Sequence, residues 1–231
     1  MTFLFPPAPV PAIAVTGSDA RYPVSRIFCV GRNYAAHAAE MGFQPDREAP
    51  FYFTKSASAT LSSGAQVAYP PGTANYHFEM ELAVAIGAPA FCVSEDRAMD
   101  AVFGYAASLD MTRRDLQIAA REKGRPWDLG KDFEQSAVFA PLRRASDFGA
   151  IDRQRITLSV NGEMRQDAAL SDLIWSVPQL IADLSRFYHL GPGDIIMTGT
   201  PAGVGAVGPG DRITGSIDGL DDVVLTIAEA A

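Results

Sequence analysis

Cysteine and histidine are both scarce in this chain: Cys29 and Cys92, and His37, His77 and His189. That leaves little room for a disulfide framework or for a zinc site built from sulfur and imidazole. The two thiols sit in apolar stretches and need not pair, which suits a reducing cytoplasm. Basic charge is short as well, with 19 Lys and Arg against 27 Asp and Glu and a formal net charge of −8. With no basic patch to offset it, that balance argues against nucleic acid and anionic membrane as partners. No apolar run approaches the length of a membrane span. The segment Met1 to Val15 is apolar, but it has no basic residue before Arg21 and carries Pro6, Pro7, Pro9 and Pro11, so it does not read as a signal peptide. Glycine is plentiful, yet its spacing matches neither the dinucleotide fingerprint nor the lysine-bearing phosphate loop. In the glycine-rich stretch 198–205, Thr200 and backbone amides could instead line a small anionic site.

What is present is a globular composition, 48% hydrophobic over 231 residues, enough for one β-rich domain with a large core. Residues 1–26 read as an extended, proline-punctuated lead-in with at most one short strand near 12–15. From Tyr76 to Ile86 the chain alternates. Tyr76, Phe78, Met80, Leu82, Val84 and Ile86 are large and apolar, the period-2 signature of a strand with one buried face. The other face begins with His77, Glu79 and Glu81 and ends with Ala83 and Ala85. Side chains two apart project the same way, so Glu79 and Glu81 stand side by side. A wet front half explains this pattern; so does a strand running from a cleft into packed interior. Two close carboxylates call for a proton or a metal.

A third carboxylate follows. The strand 102–110 carries a small-residue face of Gly104, Ala106 and Ser108 that ends at Asp110 and lets another layer come close. Oxygen-only ligands suit hard cations, Mg²⁺ or Mn²⁺ first and Ca²⁺ next. Upstream, 32–42 reads as a short helix with Asn33 as N-cap and Gly42 as stop, which puts His37 and Glu40 on one face. The pair is either a solvated surface contact or a general-base dyad, and the proline-bearing loop 43–50 after it is built like a lid. Thr112 to Asp115 forms a capping-box pattern opening a helix to about Lys123, on which Arg114, Gln117 and Arg121 make one stripe. That stripe is either a solvated face or an overhang above the ligand of Asp110. Lys131 falls in an apolar, glycine-relieved setting. Later, Asn161-Gly162 marks a type I′ hairpin, Ser176 opens an amphipathic helix to about His189, and Gly-Pro-Gly-Asp occurs twice as a type II turn candidate.

Taken in order, Gly31-Arg32-Asn33-Tyr34 with His37 and Glu40, Glu79-x-Glu81-Leu82, Gly104-Tyr105 leading to Asp110, and Thr112, Arg113, Asp115 and Gln117 form one set of blocks. Trp127 with Lys131, Asn161-Gly162-Glu163 and Gly199 to Gly205 complete it. In these blocks the chain resembles the fumarylacetoacetate hydrolase family. The resemblance implies an α+β, β-rich fold, a rolled mixed β-sandwich (pseudo-barrel), in one catalytic domain over 1–231 that forms a homodimer, the sparse thiols suiting a cytoplasmic location. It implies Glu79, Glu81 and Asp110 as ligands of Mg²⁺ or Mn²⁺ (Ca²⁺ in vitro) and His37 with Glu40 activating water. Lys131 would hold developing enolate charge, and Arg114, Gln117 and Thr200 would hold substrate. The expected substrate is a small anionic dicarbonyl, a 2,4-dioxo acid cleaved at carbon–carbon. Because Pro50 to Lys55 resembles that branch, fumarylpyruvate giving fumarate and pyruvate is expected first. Its far carboxylate needs a local cation, Arg114, Arg32 or Lys55. General acylpyruvase, oxaloacetate decarboxylase and dienoate isomerase or hydratase activities would use the same machinery. A non-catalytic metal-stabilised β domain is the reading from another class, and it has no need of a His37–Glu40 base. Phe139-Ala140-Pro141-Leu142 departs from a Gly-Pro frequent in the family.

Overall fold

In the computed structural model, which describes residues 2–40 and 49–230, an eight-stranded mixed sheet curls around the protein's centre. Its strands run in the order Phe51–Lys55, Arg26–Gly31, Asp194–Met197, Met80–Ile86, Val102–Asp110, Ala137–Phe139 and Thr60–Ser62, with Arg143–Arg144 also pairing to Val102–Asp110. The joins of Asp194–Met197 to Arg26–Gly31 and of Ala137–Phe139 to Thr60–Ser62 are parallel. A five-stranded sheet packs on its back: Glu163–Ala169, Arg155–Val160, Arg212–Ile217, Val223–Ala228 and Ala65–Ala68. The result is the expected rolled mixed β-sandwich, with a few short helices. No helix among the described residues is long and apolar enough to cross a membrane.

The alternation of residues 76–86 sorts side chains between two cores. Tyr76, Phe78, Met80, Leu82, Val84 and Ile86 join the large core between the two sheets. Ala83 and Ala85 join a second core with Ala106, Cys29 and Met197. That second core is capped by Ile13, Val15 and Tyr22, which come from a feature read as mere lead-in. Ala12–Val15 and Ser18–Pro23 pair antiparallel as a hairpin. The Tyr22 hydroxyl fastens it by donating to the carbonyls of Ile86 at 2.7 Å and Asp194 at 2.9 Å.

Residues 76–86 do not form one strand. Tyr76–Phe78 belongs to a three-stranded sheet with Thr112–Arg113 and Gly205–Ala206, while Met80–Ile86 belongs to the large sheet. The neighbouring chain does the same, leaving the large sheet after Asp110 and joining the small one at Thr112. Pairing stays in one register across the change, from Met80 opposite Leu109 to His77 opposite Thr112. Both strands therefore bend along one crease, and Glu79 and Asp110 lie on it. The Asp110 amide donates to the Glu79 carbonyl across the crease at 2.9 Å.

The small face of Val102–Asp110 admits a backbone as expected: a Cβ on Gly104 would lie 2.2 Å from the Arg143 carbonyl oxygen. The hairpin turn has positive φ at both Asn161 and Gly162, as type I′ requires. In both Gly-Pro-Gly-Asp turns the aspartate amide donates to the first glycine's carbonyl at 3.1 Å and its carboxylate accepts that glycine's amide. The helix opened by Ser176 stops at Leu184, short of His189, and leaves Phe187 and Tyr188 exposed.

Candidate active site

The crease floors a cleft of about 440 Å³ whose walls include Arg32, His37, Glu79, Glu81, Arg114, Gln117, Arg121, Trp127, Lys131 and Thr200. Glu79, Glu81 and Asp110 are buried, at most 5% exposed, and offer oxygens that all lie within 4.8 Å of one another. Burying three carboxylates together demands compensation, and each has a different answer. Lys131 Nζ donates to Glu79 Oε2 at 2.7 Å, to Asp110 Oδ2 at 2.7 Å and to the Thr112 hydroxyl at 2.8 Å. Arg114 Nη2 donates to Glu79 Oε1, and its Nη1 to Gln117 Oε1. Glu81 makes no ion pair among the described residues; the Gly199 amide donates to its Oε2 at 2.8 Å, and the Lys131 charge favours its ionised form without touching it. Gly199 serves there with φ +94, and a Cβ on it would lie 2.8 Å from that of Asn33.

The two glutamates titrate in opposite directions. Burial pushes Glu79 up, but Lys131 and Arg114 overcome it and hold the carboxyl well below the usual range. Burial, then the charges of Asp110 and Glu79, push Glu81 well above that range. Lys131 is pressed down by burial, yet Asp110 and Glu79 leave it above its ordinary value. Three buried cations thus face three carboxylates, but they crowd on Glu79 and Asp110 and leave Glu81 without an ion pair among the described residues. Three oxygen donors so placed fit a hard divalent ion, Mg²⁺ or Mn²⁺, with room for further ligands.

On the rim, Ala35–Glu40 is helical and His37 Nδ1 lies 3.2 Å from Glu40 Oε2. Glu40 is also held from across the cleft, both its oxygens accepting the Gly203 amide at 3.1 Å. The helix owes its placement to Asn33, which is not an N-cap. The side chain of Asn33 is fully buried, donating to the carbonyls of Trp175 and Thr198 at 2.9 Å and accepting the Trp175 amide at 2.7 Å. The expected stop at Gly42 and the lid loop, but for its last two residues, lie outside the described residues.

The structure gathers His37, Glu40, Glu79, Glu81, Asp110, Arg114, Gln117, Lys131, Thr200 and Arg32 around one cleft. Arg32 adopts φ +57 and sets its guanidinium over the Phe51 ring at 4.8 Å. The Arg114–Gln117–Arg121 stripe is no solvated face: Arg114 and Gln117 are buried, and all three line the cleft.

Lys55 is a correction. It sits beneath the floor, not in the cleft, with Nζ 2.9 Å from Asp110 Oδ1 and donating to the carbonyls of Met111 and Lys131 and to the Ser136 hydroxyl. Those partners use all its protons, so it steadies Asp110 and is not a contact for a far carboxylate. The capping box is a second correction. Thr112 is turned inward to Lys131, and Asp115 accepts from the Thr73 hydroxyl and the Ala74 amide.

Gln166 is the residue that sequence reasoning missed. Fully buried, it accepts the Met80 amide at 3.0 Å at the crease and donates to the Thr200 hydroxyl and the Pro201 carbonyl, each at 2.8 Å. Its strand, Glu163–Ala169, shows no clean apolar alternation; a register shift opposite Leu158 and Ser159 turns it inward. No pattern in the sequence signals that shift.

The profile of the fumarylacetoacetate (FAA) hydrolase C-terminal family matches residues 26–228. A fumarylpyruvate hydrolase of a Ralstonia species is 54% identical over 183 residues, 79% of this chain and 95% of that protein. An oxaloacetate tautomerase of Escherichia coli is 40% identical over 199 residues, 86% of this chain and 90% of that one. Among solved structures, a fumarylpyruvate hydrolase from Pseudomonas aeruginosa in complex with Mn²⁺ and pyruvate superposes with a TM-score of 0.96. It is 48% identical, over 99% of this chain and all of the other.

Proposed function

The chain belongs to the fumarylacetoacetate hydrolase family, and from that premise we propose that it is a metal-dependent hydrolase cleaving fumarylpyruvate to fumarate and pyruvate. The observation that carries the reading is the pairing of a buried three-carboxylate floor, in which Glu81 has no ion-pair partner among the described residues, with a histidine–carboxylate dyad on the wall above it. Likeness to the Ralstonia enzyme supports the choice of substrate.

Glu79, Glu81 and Asp110 would hold Mg²⁺ or Mn²⁺, and the bound ion would supply positive charge to polarise the 1-carboxylate and 2-oxo group of a 2,4-dioxo acid. The residues of the chain do the rest. Glu40 engages His37 Nδ1, which leaves Nε2 to take a proton from water. The water oxygen attacks the C4 carbonyl and the C3–C4 bond breaks. Its electron pair passes to the pyruvate fragment as an enolate, which is protonated at C3. Lys131, already between Glu79 and Asp110, faces that developing charge. Arg114, Gln117 and Thr200 hold the substrate's polar groups, and Arg32 draws a dianion into the mouth. The reading carries with it a single catalytic domain, a homodimer and a cytoplasmic location, the last supported by the sparse thiols.

Loss of enol absorbance, followed across a panel of 2,4-dioxo acids with and without Mg²⁺ or Mn²⁺, tests the proposal. Fumarylpyruvate should lead the panel only when metal is present, and full activity in excess chelator would overturn the assignment. A second reading, keto–enol or decarboxylation chemistry on oxaloacetate, is supported by the likeness to the Escherichia coli tautomerase. Such chemistry needs the floor and Lys131 but no attacking water, so it should survive loss of His37 better than hydrolysis does.

A further inference from the structure

We propose that Arg121 receives the second carboxylate of the substrate, and that the helix Arg114–Glu122 acts as a ruler for the length of acid accepted. The proposal rests on the function just given. On this helix Arg114, Gln117 and Arg121 share the face that lines the cleft. Arg114 marks the metal end, because its guanidinium is already bound to Glu79 and Gln117. Seven residues at about 1.5 Å each carry Arg121 about 10 Å further along the same wall. Fumarylpyruvate joins its two carboxyl carbons by six carbon–carbon bonds of about 1.5 Å, which in zigzag span about 7.5 Å. A head group seated beyond Glu79 therefore brings the far carboxylate within reach of the Arg121 side chain.

Gln117, one turn below, faces the middle of the substrate, and Trp127 closes the same wall with an apolar surface. A five-carbon acid ending in a methyl group would stop short of the guanidinium. Arg32 is less well placed for this role. Its guanidinium packs on the Phe51 ring at 4.8 Å, and it is not carried by the ruler helix. A guanidinium fork is the donor best matched to a carboxylate.

The test is the ratio of kcat/KM for fumarylpyruvate to that for acetylpyruvate. In Arg121→Gln the ratio should fall about 10- to 150-fold, the range expected for one charge-assisted hydrogen bond, with the loss carried by KM. Arg121→Lys should keep part of the preference. If the wild type prefers fumarylpyruvate and Arg121→Gln keeps that preference, or Arg32→Gln loses it instead, the inference falls and the proposed function stands. If the wild type cleaves neither acid, it is the proposed function that falls. Calorimetry of the Mn²⁺-loaded protein with fumarate and with crotonate then decides the role of Arg121. Tighter fumarate binding that disappears in Arg121→Gln upholds the inference; no discrimination in the wild type overturns it.

Discussion

Glu79 and Asp110, on the floor of the cleft, are each gripped by two cationic side chains, whereas Glu40, on its rim, is exposed and secured by one imidazole contact and one backbone amide. The floor is built to stay still and the rim to give. A metal ligand must be in place before the ion arrives, and buried charge networks are stiff because releasing one partner strands the other. A general base must meet a water and then let product out, which needs contacts that are cheap to break.

The comparison breaks most completely at Glu81. Glu81→Ala removes one of three anionic ligands, so turnover should be abolished and the rise in Tm on adding Mg²⁺ should vanish; a melt with and without metal reads it. Next comes the rim. His37→Ala should lower kcat by about 10²- to 10⁴-fold while leaving the Mg²⁺-induced rise in Tm intact. Loss of metal binding there would show that rim and floor are one unit. Lys55→Met strikes the floor from below. With chelator present, urea unfolding should show a loss of about 3–5 kcal/mol, the cost of stranding one partner of a buried pair. Saturating Mg²⁺ should return part of that stability. The gentlest change is Glu40→Gln, which keeps the shape of the dyad and removes its charge. It should cost about tenfold in kcat, as for weakening one charged hydrogen bond, with no change in metal affinity by titration.

The acidic floor was legible in the sequence because it obeys strand periodicity: Glu79, Glu81 and Asp110 share faces with Ala83, Ala85, Ala106 and Ser108, as alternation requires. The Asn161-Gly162 hairpin and the two Gly-Pro-Gly-Asp turns were legible because φ preferences are local. What escaped is non-local. Periodicity runs unbroken through Glu79, so nothing in residues 76–86 tells that they serve two sheets. Lys55 looked like a cation at a strand end, and only the position of Asp110, Ser136 and Met111 around it makes it a buried strut. Thr112 and Asp115 have the spacing of a capping box, but a buried lysine outbid the helix amide for the threonine. Gln166 depends on a register shift that only strand pairing can create.

The crease has a kinetic side. Its contacts join residues far apart in sequence: Lys131 to Glu79 across 52 positions, Gln166 to Met80 across 86, Gly199 to Glu81 across 118. Such contacts are closed late in folding, since the loops they tie off are long. The ligand strands pair with each other at shorter range, but the lysine, glutamine and amide that set them close later, so a divalent ion meets the complete site only late in folding. What it can do is hold both bent strands at the point where they would first part. Its stabilisation should then appear in the unfolding arm of the chevron, slowing escape from the native state while refolding proceeds at nearly the metal-free rate.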